Sequence, residues 1–106
     1  MTRVVVAGAF GRMGSLLSRM IAGSDRLDLV GGVDIRAGEQ FGAPVVEPTG
    51  LAGLLEEVRP DVLVDFTVAP AAVQNIRTAA EHGVALVVGT TGFSSEQEAA
   101  NRNAIE

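Results

Sequence analysis

Cysteine is absent from this chain of 106 residues, and histidine occurs once. Without cysteine neither a disulfide nor a thiolate metal site can form, and a lone His82 cannot supply a histidine cluster, so no metal site is expected. Basic residues are scarce too, eight against thirteen acidic ones, for a formal net charge of -5. No basic face is left to neutralise phosphates, which argues against nucleic acid or an anionic membrane surface as a partner. No apolar run approaches the roughly 20 residues that cross a bilayer, and Met1 leads into a strand pattern with no signal-peptide character, so a cytoplasmic location is expected. Internal repeats, low-complexity tracts and linkers are also missing, and no Ser/His/Asp constellation stands out. What remains is one domain over residues 1–106, whose 47% hydrophobic content is enough for a core.

The informative stretch is Val4-Val5-Val6-Ala7-Gly8-Ala9-Phe10-Gly11-Arg12-Met13-Gly14. Residues 4–7 read as a strand buried on both faces, and Met13, Leu16, Leu17, Met20 and Ile21 then recur at helical spacing. The period switches inside the glycine run. Such a switch makes a tight turn, lets main-chain N–H groups reach phosphates and sets the positive end of a helix dipole beneath them. The spacing is a G-x-x-G-x-x-G variant of the G-x-G-x-x-G fingerprint, with Phe10 where the second glycine would fall. Taken alone, it also fits a tight turn with close helix-on-sheet packing and nothing more. Asp34 adds weight to the nucleotide reading. It follows the apolar strand at residues 29–33 and lies 20 residues beyond Gly14, where a carboxylate accepts from the ribose hydroxyls of an adenosine.

The rest of the chain alternates. Gly23-Ser24-Asp25 ends the first helix and residues 28–33 supply a second strand. Residues 35–50, holding Gly38, Gly42, Pro44, Pro48 and Gly50, read as a long irregular stretch over the adenosine side, with a short extended piece at Val45-Val46. Leu51, Leu54, Leu55 and Val58 mark a short helix stopped by Pro60, and residues 62–66 a strand. Pro70 suits the first turn of a helix running to about His82, with Val73, Ile76 and Ala80 inward and Gly83 as its stop. A strand at 84–88 and a helix from about Glu96, capped by Ser94-Ser95, complete the order. This alternation predicts an α/β fold, a Rossmann-like doubly wound parallel sheet with ligands beyond the carboxyl ends of its strands. Those ends are Gly8, Asp34, Phe66-Thr67 and Gly89-Thr90-Thr91. His82 reads as a helix cap, Glu56, Glu57, Glu96, Glu98 and Glu106 as solvated faces, and Asp65 as either a buried structural acid or a site residue.

Three segments go further: Gly-Ala-Phe-Gly-Arg-Met-Gly at 8–14, Asp-Phe-Thr at 65–67 and Gly-Thr-Thr-Gly-Phe at 89–93. Their order and spacing, over essentially the whole chain, resemble the dihydrodipicolinate reductase (4-hydroxy-tetrahydrodipicolinate reductase) family of lysine and diaminopimelate biosynthesis. The resemblance implies the N-terminal, cofactor-binding domain of an oxidoreductase using NADH or NADPH. It places the backbone of Gly8, Ala9, Phe10, Gly11, Arg12 and Met13 around the diphosphate, and Asp34 at the ribose. Arg36 and Arg12 are the cations available for a 2′-phosphate. The family often has arginine immediately after the acidic residue, whereas Ile35 stands there and Arg36 one place later, so NADH is expected to bind at least as well as NADPH. Phe66 and Thr67 are assigned to the nicotinamide wall, and Gly89, Thr90 and Thr91 to the carboxamide and the substrate edge. No catalytic residue is expected in this segment. The family's histidine-rich motif, catalytic lysine and serine-glycine-threonine clamp belong to a second domain, and the chain then returns to this one. The sheet is therefore expected to be incomplete, the isolated chain to bind cofactor without turnover, and the whole enzyme to be a homo-oligomer, a homotetramer in the family, acting on a small molecule. A nucleotide-sensing regulatory Rossmann module and another NAD(P)-dependent dehydrogenase domain are the alternatives.

Overall fold

The computed structural model describes residues 1–89 and 94–105. Its strands are β1 (Thr2–Ala7), β2 (Leu27–Val33), β3 (Gly38–Gln40), β4 (Ala43–Val46), β5 (Val62–Asp65) and β6 (Ala85–Val88); its helices are α1 (Arg12–Ala22), α2 (Leu51–Val58), α3 (Ala69–Glu81) and α4 (Ser95–Ile105). The six strands form one sheet in the order β3-β4-β2-β1-β5-β6. All pairings are parallel except β3 with β4. The sheet is Rossmann-like, as the alternation predicts, with an antiparallel strand added at one edge.

β1 is the axis because it is apolar on both faces. Val5 and Ala7 pack with Val33, Leu63, Leu51, Leu54, Leu55 and Ala79, which is the side covered by α2 and α3. Val4 and Val6 pack with Ile21 of α1, flanked by Leu17, Val62 and Val64. Leu51, Leu63 and Ile76 are almost wholly buried, each contributing about 1.5–3 kcal/mol by burial. Two expectations about helix faces need correction. On α1 the apolar series divides: Ile21 points inward, while Met13, Leu16 and Met20 are more than half exposed. The residues that meet the sheet there are instead Gly14, Ser18 and Ile21, because small residues let the helix lie close. On α3 the buried positions are Ala72, Asn75, Ile76 and Ala79, one residue round from the expected Val73 and Ala80.

The stretch at 35–50 is not irregular. β3 and β4 form a two-residue hairpin through Phe41 and Gly42, both at positive φ, 51° and 80°. That conformation matches the twist of the flanking strands, and β4 then runs parallel to β2. A 3-10 turn at Pro48–Gly50 leads into α2. The remaining boundaries fall within a residue or two of expectation. His82 caps α3, with Nδ1 2.8 Å from Thr78 O. At α4 the Gln97 N–H donates to Ser94 Oγ and the Ser94 N–H to Gln97 Oε1, so the serine cap is a reciprocal box.

Candidate functional site

The first strand-to-helix turn closes so tightly that two glycines are obligatory. Gly8 sits at φ +82°, and a Cβ there would lie 2.9 Å from Phe66 O; at Gly14 a Cβ would lie 1.8 Å from Gly8 O. Helix α1 therefore enters directly over the turn. Within the turn, the Gly8 and Ala9 amides donate to Val33 O (2.8 and 3.1 Å), Phe10 N–H to Asp34 Oδ2 (2.7 Å) and Gly11 N–H to Gly8 O (3.0 Å). The turn holds its shape with the amides of residues 8–11. Ser15 is the first helical amide with a backbone acceptor, Gly11 O at 2.9 Å. Among the described residues, the amides of Arg12, Met13 and Gly14 have no acceptor, and no side chain caps α1. Three donors and the positive end of the helix dipole stand open together.

Asp34 ends β2, its own amide donating to Val46 O at 3.0 Å. Its carboxylate accepts from Phe10 N–H and Ile35 N–H, both at 2.7 Å. Each oxygen keeps a lone pair for a further donor. Gln40 of β3 donates through Nε2 to Ala9 O at 2.9 Å, so the hairpin is tied to the turn. At the other strand ends, Phe66 N–H donates to Ala7 O (3.0 Å) and Gly89 N–H to Asp65 O (2.8 Å). Asp65 is fully buried. It accepts from Thr67 N–H (2.8 Å), Thr67 Oγ1 (2.6 Å) and Asn75 Nδ2 (2.9 Å). These bonds pin the Phe66-Thr67 turn to α3.

These ends surround one cleft of about 440 Å³. Gly8, Phe10, Gly11, Asp34, Arg36, Phe66 and Thr67 all line it, so seven of the sequence-predicted residues converge. Ala9 does not, being buried beneath the turn. Arg12 and Met13 lie exposed on the first turn of α1, at the mouth of the glycine turn but outside the lining. Gly89 is exposed and lies under the Phe66 ring, where a Cβ would come 2.2 Å from Phe66 Cε1. Thr90 and Thr91 lie outside the described residues. Sequence reasoning missed Val33 and Ile35, on either side of Asp34, and Pro48, Val68, Ala71 and Asn75, which complete the wall. Only Asn75 carried a signal, as a polar residue on the buried stripe of a helix. Among the described residues, no group of histidine and acidic side chains could hold a metal ion, and no helix is long and apolar enough to cross a membrane.

Residues 2–106 match the model of the family described as dihydrodipicolinate reductase, N-terminus. The chain belongs to that family. Reductase relatives confirm the match at close range: proteins named 4-hydroxy-tetrahydrodipicolinate reductase are 50% identical over 106 residues in Methanocorpusculum labreanum and 51% over 105 in Methanoregula boonei. These alignments cover 100% and 99% of this chain but only 42% and 41% of the relatives. The chain thus spans less than half the length of the reductases it matches. In shape it is similar to a dipicolinate-bound dihydrodipicolinate reductase from Paenisporosarcina sp. TG-14, with a TM-score of 0.79 at 23% identity, over 98% of this chain and 43% of that one. RSP, a Rex-family repressor, also superimposes, with a TM-score of 0.76 at 13% identity over 89% of this chain and 48% of that one. Likeness at such low identity concerns the sheet and its helices alone.

Proposed function

We propose that this chain is the pyridine-dinucleotide-binding part of a 4-hydroxy-tetrahydrodipicolinate reductase, an oxidoreductase of lysine and diaminopimelate biosynthesis. The observation that carries the reading is the open first turn of α1, with three unpaired amides beside a cleft that also presents Asp34, in a chain of the reductase family. These residues fit a dinucleotide. The free amides of Arg12, Met13 and Gly14 hold the diphosphate, since an anion gains from both the donors and the dipole. Asp34, held by two main-chain amides, accepts from the adenosine ribose. Phe66, Thr67 and Gly89, with Thr90 and Thr91, wall the nicotinamide and orient its carboxamide.

When bound, the reduced nicotinamide supplies hydride from C4 to the unsaturated heterocycle of the substrate. Every basic residue in this chain is arginine, and its one histidine caps a helix. In this reading the rest of the enzyme supplies the proton and the groups that stabilise substrate charge. The work of this part is to bind, orient and exclude water. Either NADH or NADPH suits the diphosphate site, and the reading includes a homo-oligomeric enzyme with a small-molecule substrate. The test is calorimetric titration of the protein with NADH. One site per chain is expected, with affinity lowered by Arg12→Pro, which removes an open amide at the first helical position, where proline is tolerated, and no heat from a folded sample would refute the reading.

A further inference from the structure

The Phe10 side chain has no part in the site so far, yet its position is not idle. Its ring lines the cleft, and the Arg36 guanidinium carbon lies 5.2 Å from the ring centroid. The ring edge also approaches β3, with Cζ 3.3 Å from where a Gly38 Cβ would stand. Phe10 is fixed from below as well, because its own N–H is bonded to Asp34. The aromatic ring is therefore a clamped platform between the acidic residue and the loop that follows it. Arg36 forms no ion pair among the described residues; the two bridges found are Arg3 with Asp28 and His82 with Glu56. Its charge rests against a π face, close in sequence to Asp34 but not neutralised by it.

We infer that Phe10 is a positioning residue for cofactor choice: its ring holds the Arg36 guanidinium at the adenosine end of the cleft, where it meets the 2′-phosphate of NADPH. The inference rests on the dinucleotide reading above. Asp34 alone disfavours that phosphate by like-charge repulsion, and a free arginine two residues away would sweep a wide arc before meeting it. Held over the ring, the guanidinium offers its planar fork at reduced entropic cost. The site then accepts both cofactors, with Asp34 serving the NADH diol and Arg36 the NADPH phosphate.

The test compares dissociation constants for NADH and NADPH, at low and high salt, in the unaltered protein and in Arg36→Gln, Phe10→Leu and Phe10→Tyr. Unaltered protein is expected to bind the two within about tenfold of each other. Arg36→Gln should weaken NADPH about tenfold and remove its extra salt dependence, leaving NADH unchanged. Phe10→Leu should weaken NADPH about two- to fivefold, the usual worth of an exposed cation–π contact, while Phe10→Tyr retains it. Equal losses for both cofactors in Phe10→Leu would mean the ring is mere packing and would overturn the inference, as would an unchanged ratio in Arg36→Gln, whose exposed position makes it safe for folding. If a folded, unaltered protein binds neither dinucleotide, the proposed function fails and takes this inference with it.

Discussion

The residues that decide this molecule are those for which no neighbour in chemistry will serve. Alanine is normally the better helix former by about 1 kcal/mol over glycine, yet at Gly14 its methyl would sit 1.8 Å from a backbone carbonyl oxygen. The steric term wins, since the turn cannot withdraw without breaking its bonds to Val33 O, and α1 is tied to the turn by Ser15 N–H on Gly11 O. Gly14→Ala is expected to lose more than about 3 kcal/mol in urea denaturation, in the range of severe core lesions. Asp65 shows the same exactness in polar form. Its oxygens accept from Thr67 N–H, Thr67 Oγ1 and Asn75 Nδ2 among the described residues, in a fully buried position, and an amide would turn one of its ends into a donor facing donors. Asp65→Asn should cost about 2–3 kcal/mol and loosen Thr67, which amide exchange at Thr67 would report. The glycine spacing and Asp34 could be recognised along the chain because each is a local rule. That the turn holds its shape with its own amides could not, because the acceptors are Val33 and Asp34, brought in by a strand more than twenty positions away.

At the scale of elements, periodicity located the four α-helices and the strands β1, β2, β5 and β6, and of the β3–β4 hairpin it found only the extended piece at Val45-Val46. The reason is one residue. Two-residue hairpins favour asparagine or aspartate before glycine because both central positions need positive φ, and here Phe41 occupies the first at φ 51°. A bulky aromatic there hides the turn and strains it, being more than half exposed with little packing to offset the conformation. Phe41→Asn should therefore stabilise the protein by about 0.5–1 kcal/mol, seen as a higher denaturation midpoint with unchanged slope. A loss of stability would show that the ring contributes contacts outweighing its backbone strain. On α1 the apolar spacing marks a stripe but not its partner: Met13, Leu16 and Met20 of the five are more than half exposed.

The whole molecule is lopsided as a consequence. A doubly wound sheet needs helices on both faces, and α2 and α3 cover one face while α4 lies against α3. On the other face, among the described residues, α1 alone packs over β1 and β2. Val62 and Val64 are half-buried there, Val87, paired with Val64 on the edge strand β6, is 55% exposed, and Met20 on α1 is 65% exposed. Exposed apolar side chains and an edge strand invite pairing between copies. Which face each crossover covers is a three-dimensional property, so the alternation of strands and helices could announce the sheet without revealing this bare half. The chain of 106 residues is expected to self-associate with rising concentration in sedimentation velocity. Met20→Lys and Val87→Lys together should shift it to monomer, the first also favourable beside the negative end of the α1 dipole. Because Met20 lies in the last turn of α1, two turns from the open amides, Met20→Lys alone should leave NADH affinity within about twofold, that is, about 0.4 kcal/mol. A sharp monomer across the full concentration range would mean that the exposed face is tolerated in water, and that association is no consequence of this geometry.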